Sequence, residues 1–417
     1  MHFDPQSPGF APIASGLTDS SFLNCLTILF PPYLGCQQGA ETDRFMSMSY
    51  HRIVAKFGTG LLTSGTDRLD LQVMSSLVEQ IARLHGQGTE IVIISSGAIA
   101  SGRQKLKEVA ERKNTPFRQV LASVGQSHLM YTYEQLFSRY EITAAQALLT
   151  KRDLCDRSGY LNARNTLLAL IELGIICVVN ENDVVAIDEI EELKFGDNDN
   201  LSAMVANLVD ADILAILTDI GGLYTADPHY NPEAQLIRRV DTVDVDIERM
   251  ACDTASTQGT GGMATKIEAA KLATSSGVNV VIADGREPDV LVRISQGEDI
   301  GTFFPAQVSK MESRKRWMLS GLASKGKVTV DKGAASALKE HNKSLLPAGV
   351  MKAEGEFQRG DIVDILNEKG KRIGCGISNY NSSDLAVIGG KHSDEIGNLL
   401  GYDYGDEVIH RNNMVIS

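Results

Sequence analysis

The sequence predicts an α/β fold: a mostly parallel open sheet sandwiched by helices, followed by a small β-rich barrel. Three observations lead there. Short apolar runs rich in Val and Ile recur between residues 51 and 283, without the polar alternation of a half-solvated strand, as expected of strands buried on both faces. Between them lie segments with apolar residues at helical spacing, the strand–helix alternation of a parallel sheet. Beyond about residue 325 the pattern changes to short strand-like runs separated by turn residues.

Taken in order, residues 51–57 form the first strand and end in Lys56-Phe57-Gly58-Thr59-Gly60. Apolar residues at 69, 73, 74, 77, 81 and 84 predict an amphipathic helix over 69–84, stopped by Gly86 and Gly88. Residues 91–94 make a second strand that runs into Ser95-Ser96-Gly97-Ala98, so the opening is a βαβ unit. Residues 116–172 have a mostly helical pattern. A strand over 175–179 then hands over to Asn180-Glu181-Asn182-Asp183 and Gly196-Asp197-Asn198-Asp199-Asn200, with a helix expected over 201–209 and Asn198 or Asn200 as its N-cap. Residues 212–217 are a strand ending in Thr218-Asp219. Thr260-Gly261-Gly262-Met263-Ala264-Thr265-Lys266 opens a helix that ends near Gly277, and 278–283 is another strand. In the tail, 328–330, 361–366, 372–378, 385–388 and 407–410 read as strands. The expected organisation is a disordered extension over 1–45, with Met46 or Met48 as candidate initiators, a catalytic domain over 46–308, a linker over 309–325 and a β-rich domain over 326–417.

Composition narrows the function. With 43% hydrophobic and 22% charged residues the chain is that of a soluble globular protein. The net charge of −13 argues against a nucleic-acid binder working through bulk electrostatics. Residues 311–417 hold 15 Lys+Arg against 14 Asp+Glu, a net of +1, so the acidity belongs to the front part. Six scattered cysteines with no C-x-x-C pair suggest neither a disulfide framework nor a zinc site, and fit a reducing cytoplasm. No apolar run is long enough to span a bilayer. No Lys or Arg precedes Arg44, so the basic start of a secretory signal is missing.

No G-x-x-x-x-G-K-[ST] loop occurs, and the G-x-G-x-x-A match at Gly259 has no strand before it, so neither nucleotide fingerprint applies. What stands out is two lysines beside glycines. Lys56 closes an apolar strand, where a surface charge is out of place, and Lys266 follows a Gly-Gly pair in a first helical turn. Lysines with glycine-rich backbone N–H groups describe a phosphate site. The acid and amide cluster at 180–183 and 196–200 suits an ammonium group, a metal or a lysine, and equally an ordinary solvated loop. Read together, these features point to phosphoryl transfer, in which positioning and charge neutralisation supply most of the catalysis.

The motifs Lys56-x-Gly58-Thr59, Ser95-Ser96-Gly97-Ala98, Asn180-Glu181-Asn182-Asp183, Gly196-Asp197-Asn198-Asp199-Asn200, Thr218-Asp219, Gly222-Leu223-Tyr224 and Gly259-Thr260-Gly261-Gly262-Met263 through Lys266 come in an order that resembles the glutamate 5-kinases of the amino acid kinase family. The likeness runs from about residue 50 to 305, and the tail resembles a PUA domain. It implies ATP and L-glutamate as substrates, Mg²⁺ as cofactor, L-glutamyl 5-phosphate as product on the way to L-proline, inhibition by L-proline, and a homodimer or homotetramer. It also implies Lys56, Lys266 and Asp199 as catalytic residues. ATP binding would fall to Lys56, Gly58, Thr218, Asp219 and Thr260, Gly261, Gly262, Met263, Ala264, Thr265 and Lys266. Substrate binding would fall to Ser96, Gly97, Asn180, Asp183, Asp197 and Asn198; no metal ligand is singled out. Rival readings are a relative acting on another amino acid or a carbamate, and an RNA-binding protein acting through its tail. The near-zero charge of that tail predicts that RNA binding does not dominate.

Overall fold

The computed structural model describes residues 49–106, 114–186, 197–228, 230–253, 262–310 and 324–416. The extension 1–45, the connection 187–195, Thr260, Gly261 and most of the expected linker lie outside the described residues.

From the front, strand β1 (Arg52–Phe57) leads into α1 (Thr59–Thr63), α2 (Leu71–Gly86), β2 (Glu90–Ser95), α3 (Ala98–Lys105) and α4 (Thr115–Phe137). Next come β3 (Ala144–Leu149), α5 (Lys151–Cys155), α6 (Arg157–Glu172), β4 (Ile176–Glu181), α7 (Asp197–Leu208) and β5 (Ile213–Thr218). Then follow α8 (Val245–Asp253), α9 (Met263–Ser275), β6 (Asn279–Asp284), α10 (Val290–Ser295) and β7 (Thr302–Phe304). The strands form one seven-stranded sheet in the order β3-β4-β2-β1-β5-β6-β7, in which only β7 is antiparallel to its neighbour. The carboxyl ends of β1, β2, β4 and β5 therefore share one edge, and β1 sits where the connections change direction, the usual crevice for a ligand.

Strand alternation decides which side chain meets which helix. Ile53, Ala55 and Phe57 pack with α2 residues such as Leu77 and Ile81, while Val54 joins the opposite core with residues of α6, α7 and α9. Lys56 lies two residues beyond Val54 and so points to the α7 and α9 side. Helix α2 starts where expected because the Asp70 side chain accepts from the backbone N–H groups of Gln72 and Val73.

Several expectations are corrected. Asn198 and Asn200 are not N-caps; they lie inside the first turn of α7, which begins at Asp197, and the Asn198 carboxamide is bonded across the sheet edge instead. The stretch 116–172 is mostly helical, as expected, but the unforeseen strand β3 pairs with β4 inside it. Its sequence, AAQALL, favours helix by composition, but sheet pairing at the edge overrides that weak preference.

Beyond residue 324 come β8 (Gly326–Val330), α11 (Lys332–Glu340), β9 (Val350–Glu354), β10 (Ile362–Leu366), β11 (Arg372–Ile377), α12 (Ser382–Ile388), α13 (Ile396–Leu400) and β12 (Met414–Ile416). The five strands order as β12-β11-β10-β8-β9 over their own core. Residues 385–388, expected as a strand, end α12 instead. Asn381 and Asp384 form a capping box that starts that helix. The 407–410 stretch contributes one isolated bridge, Ile409 to Leu345, rather than a strand.

Helix α6 carries the contact between front and tail. Leu161 packs with Ile362, Cys375, Ile377 and Val415. Buried Arg164 donates from Nε to Asn413 Oδ1 (2.7 Å), from Nη2 to Asp210 Oδ2 (2.6 Å) and Asn412 O (3.1 Å), and from Nη1 to Leu208 O. Removing it strands several acceptors at once. Arg164→Ala is expected to cost about 3–5 kcal/mol, whereas Arg239→Ala, at an exposed pair with Asp241, costs under about 1 kcal/mol. Equal denaturation midpoints for the two variants would contradict this.

Candidate active site

Three elements deliver one charge cluster. Lys56 arrives from the end of β1, Asp199 from the first turn of α7, and Thr265 and Lys266 from the first turn of α9. Lys56 Nζ donates to Asp199 Oδ1 at 2.5 Å. Lys266 Nζ donates to Asp199 Oδ2 at 3.4 Å, and Thr265 Oγ1 lies 2.7 Å from that oxygen. All four side chains are buried; Asp199 is only 1% exposed. Burial on its own would raise the Asp199 carboxyl, but the Lys56 and Lys266 charges and the hydrogen bonds from Lys56 and Thr265 outweigh it and hold the group at about 2. The carboxylate is thus ionised throughout the neutral range, and two ammonium groups are fixed around it.

The neighbouring residue faces the other way. Successive helical residues project about 100° apart, so Asn198 leaves α7 toward β2 and β4 while Asp199 meets the lysines. Asn198 Nδ2 donates to Ser96 Oγ and Asn180 Oδ1, both at 3.1 Å, with Ser95 O at 3.4 Å. Asn180 Nδ2 donates in turn to Gln126 Oε1 of α4 at 2.8 Å. Gly97, at φ +96°, caps α3 in the left-handed region that glycine tolerates, letting the chain turn directly after Ser96. Asp183 lies half-buried in the turn after β4, a turn also held by Gln119 Nε2 donating to Val184 O (3.1 Å).

The other expected residues line the same edge. Thr218 Oγ1 donates to Asp219 Oδ1 at 3.0 Å at the end of β5. A Cβ placed on Gly60 would sit 2.8 Å from Asp219 Oδ2, so this loop passes tightly against Asp219. Gly58 N donates to Leu217 O (3.0 Å), and a Cβ there would come 3.8 Å from the Lys56 amine. Gly262 precedes α9 with no side-chain cap, and Met263 is buried and Ala264 half-buried behind it. The backbone of Asp197 starts α7, while its side chain, like Thr260 and Gly261, lies outside the described residues.

Three participants carried no sequence signal. Gln126 and Gln119 sit within a long helix and belong to no motif. Arg286 reaches the edge from the loop after β6, pairing with Asp284 (2.8 Å) and donating to Asp219 O; its nearness to β5 depends on the β5–β6 pairing.

The arrangement offers two adjoining functions. One side supplies fixed positive charge beside a helix N-terminus, which suits a phosphoryl group; the other supplies neutral amides and a hydroxyl, which suit a polar organic molecule. Replacing Asp199 by Asn should remove a counter-charge shared by two buried lysines and cost about 3–5 kcal/mol. Because the folded-state value is depressed, the wild-type contribution is complete above about pH 4 and lost as the pH falls toward 2. The stability gap between wild type and Asp199→Asn should therefore narrow over that window in urea titrations; a constant gap would be inconsistent with an ionised Asp199.

Comparison with known proteins agrees with this geometry. Residues 51–284 match the model of the amino acid kinase family, and residues 326–400 match that of the PUA domain. A protein described as glutamate 5-kinase from Dehalococcoides mccartyi strain CBDB1 is 59% identical over 88% of this chain and 98% of its own. Proteins of the same description from Herpetosiphon aurantiacus and Shewanella oneidensis are 49% and 48% identical, over 89% and 88% of this chain and 99% and 98% of theirs. Among solved structures, the UMP kinase from Bacillus anthracis is a distant likeness, at 15% identity and a TM-score of 0.43 over 62% of this chain and 97% of that one. With its lysine–carboxylate cluster at the edge of a parallel sheet and with relatives matched along nearly their whole length, the chain belongs to the amino acid kinase family, is a kinase of the glutamate 5-kinase group, and carries a C-terminal PUA domain.

Proposed function

We propose that the protein transfers the γ-phosphoryl group of ATP to the side-chain carboxylate of L-glutamate, giving L-glutamyl 5-phosphate in the first step of L-proline formation. The observation that carries this reading is the meeting of Lys56 and Lys266 on Asp199, beside the Ser96–Asn180–Asn198 amide cluster. The acceptor carboxylate, with an ordinary value near ~4.3, is ionised at neutral pH and needs no general base. The barrier is repulsion between two anions. Lys56 and Lys266 neutralise charge on the transferring group, with the backbone N–H groups at the start of α9 adding donors. Asp199 fixes both amines in place. Gly58, Thr218, Asp219 and the loop 260–266 hold the nucleotide; Ser96, Gly97, Asn180, Asp183, Asp197 and Asn198 hold glutamate, with Asp183 opposite its ammonium group.

Magnesium enters this reading with the nucleotide, as MgATP. Among the described residues no three His, Cys, Asp or Glu side chains gather to hold a metal ion, and Asp199 is already engaged by Lys56, Lys266 and Thr265. Mg²⁺ commonly keeps several waters and binds through substrate phosphates with few protein ligands. Feedback inhibition by L-proline, a homodimer or homotetramer, a cytoplasmic location and the domain limits 1–45, 46–308, 309–325 and 326–417 belong to the same reading. Among the described residues no helix is long and apolar enough to cross a membrane. RNA binding by the PUA domain ranks second, favoured by the match to that domain and opposed by its net charge of +1 over 311–417. Tight, salt-sensitive RNA retention in a filter assay would move it to first place.

A hydroxamate assay with MgATP and hydroxylamine tests the substrate, comparing glutamate with aspartate, N-acetylglutamate and carbamate; equal or better turnover of another acceptor would overturn the assignment. Lys56→Ala and Lys266→Ala should each lower kcat by ~10²-fold or more, the scale of losing one preorganised donor. Asp183→Ala should act chiefly on the glutamate KM. A changed ATP KM with unchanged glutamate KM would reassign that residue.

A further inference from the structure

The amide cluster contains two buried polar atoms left unsatisfied among the described residues. Gln126 Nε2 and Asn198 Oδ1 are both shielded from solvent and have no hydrogen-bond partner among those residues. Such atoms are uncommon, because leaving one unpaired costs about 1–3 kcal/mol. Here they terminate one chain of three carboxamides, and two backbone groups fix its direction.

The Glu181 backbone N–H can only donate, and it points at Asn180 Oδ1 (2.9 Å). That sets the oxygen end of Asn180, so its Nδ2 must be the atom facing Gln126 (2.8 Å). Gln126 meets a donor and must answer with Oε1, which turns its Nε2 outward. At the other end the Ser95 backbone carbonyl can only accept, so the Asn198 atom 3.4 Å away is Nδ2; the same Nδ2 serves Asn180 Oδ1, leaving Oδ1 outward. One end of the chain is thus an unused donor and the other an unused acceptor. Glycine packing brings Gln126 there: a Cβ on Gly125 would collide with Ala98 O, and one on Gly102 with Leu121 O, so α4 lies unusually close to α3, directly behind Ser96 and Gly97.

We infer that Gln126 is a specificity-determining residue of the acceptor site: its Nε2 donates to the α-carboxylate of the amino-acid substrate, while Asn198 Oδ1 accepts from the α-ammonium group. The inference rests on the glutamate reading above and deepens it. A free donor and a free acceptor at the two ends of one amide chain match a zwitterion, whose two α-groups are an acceptor and a donor. The reacting side-chain carboxylate is left for the lysines. Access requires the terminal carboxamide of Gln126 to swing, a torsion with broad freedom.

The test uses the full-length protein with Gln126→Glu and Gln126→Met. The first keeps an oxygen for Asn180 Nδ2 but removes the outward donor and adds a repelling charge; the second removes the donor without adding charge. Glutamate KM should rise roughly ten-fold or more in both variants, the range for a hydrogen bond to a charged group. ATP KM should stay put in both variants and the melting temperature in Gln126→Glu, while Gln126→Met, which leaves Asn180 Nδ2 without its acceptor, should melt at a lower temperature. The inhibition constant of 4-aminobutyrate, which lacks the α-carboxylate, should also hold. An unchanged glutamate KM, or a proportional rise in the 4-aminobutyrate constant, would sink the inference and leave Gln126 a structural support for Asn180. A loss of melting temperature and ATP affinity together in both variants would do the same. A wild-type protein that fails to turn over glutamate counts against the proposed function instead.

Discussion

Two buried ammonium groups cannot share a site unless something negative stands between them, and Asp199 is that group. Its two oxygens are divided, Oδ1 to Lys56 and Oδ2 to Lys266 and Thr265. Without it, the two lysine side chains would lose the group that holds both of them in place at the sheet edge. With it, the trio keeps one net positive charge in a place that water barely reaches. Net charge fixed before substrate arrives is what makes electrostatic stabilisation effective, since no reorganisation is needed at the moment of transfer.

The fold is arranged to make that meeting unavoidable. Lys56 occupies the last position of β1 that faces α7 and α9, and β1 is the strand flanked by both β2 and β5. The lysine therefore emerges at the centre of the sheet edge. Helices α7 and α9 each contribute their first turn, so Asp199 and Lys266 come from helix starts that lie over the same strand ends. Because Asn198 precedes Asp199 on a helix, the amide cluster and the charge cluster are fixed relative to each other by a single turn of backbone. An acceptor held by one is brought to a fixed place beside the other, which is the geometric content of proximity catalysis.

Much of this is legible in the amino-acid sequence. The strands at 52–57, 90–95, 176–181, 213–218 and 279–284 follow from runs of Val, Ile and Leu that no solvated segment would carry. Lys56 was conspicuous because a surface charge is out of place at the end of such a run, while the acid-rich stretch 196–200 suited a lysine, an ammonium group, a metal or an ordinary solvated loop equally well. Strand β3 was not legible: Ala144-Ala145-Gln146-Ala147-Leu148-Leu149 has helical composition, and its pairing with β4 is decided by tertiary contact alone. Residues 385–388 misled in the opposite sense, since a short apolar run does not distinguish a strand from the end of a helix. Gln126 was invisible for a different reason. Nothing local marks it, and its place in the site depends on glycines at 102 and 125 that allow two helices to touch.

The same logic explains why the helix that carries Asn198 and Asp199 needs support at its far end. Helix carbonyls in the last turn lack partners within the helix, and α7 ends against the buried junction with the tail, where a stray carbonyl would be costly. Arg164 resolves this by donating to Leu208 O while its other nitrogens bind Asp210, Asn412 and Asn413. A lysine could not do so, because only the planar fork of a guanidinium presents donors in several fixed directions at once. The helix is thus tied at its start to the charge and amide clusters and at its end, through one arginine on α6, to the last strand-forming segment of the chain. Positioning of the Asp199 carboxylate is consequently a property of both parts of the molecule, with the tail contributing hydrogen bonds to Arg164 and apolar contacts to Leu161.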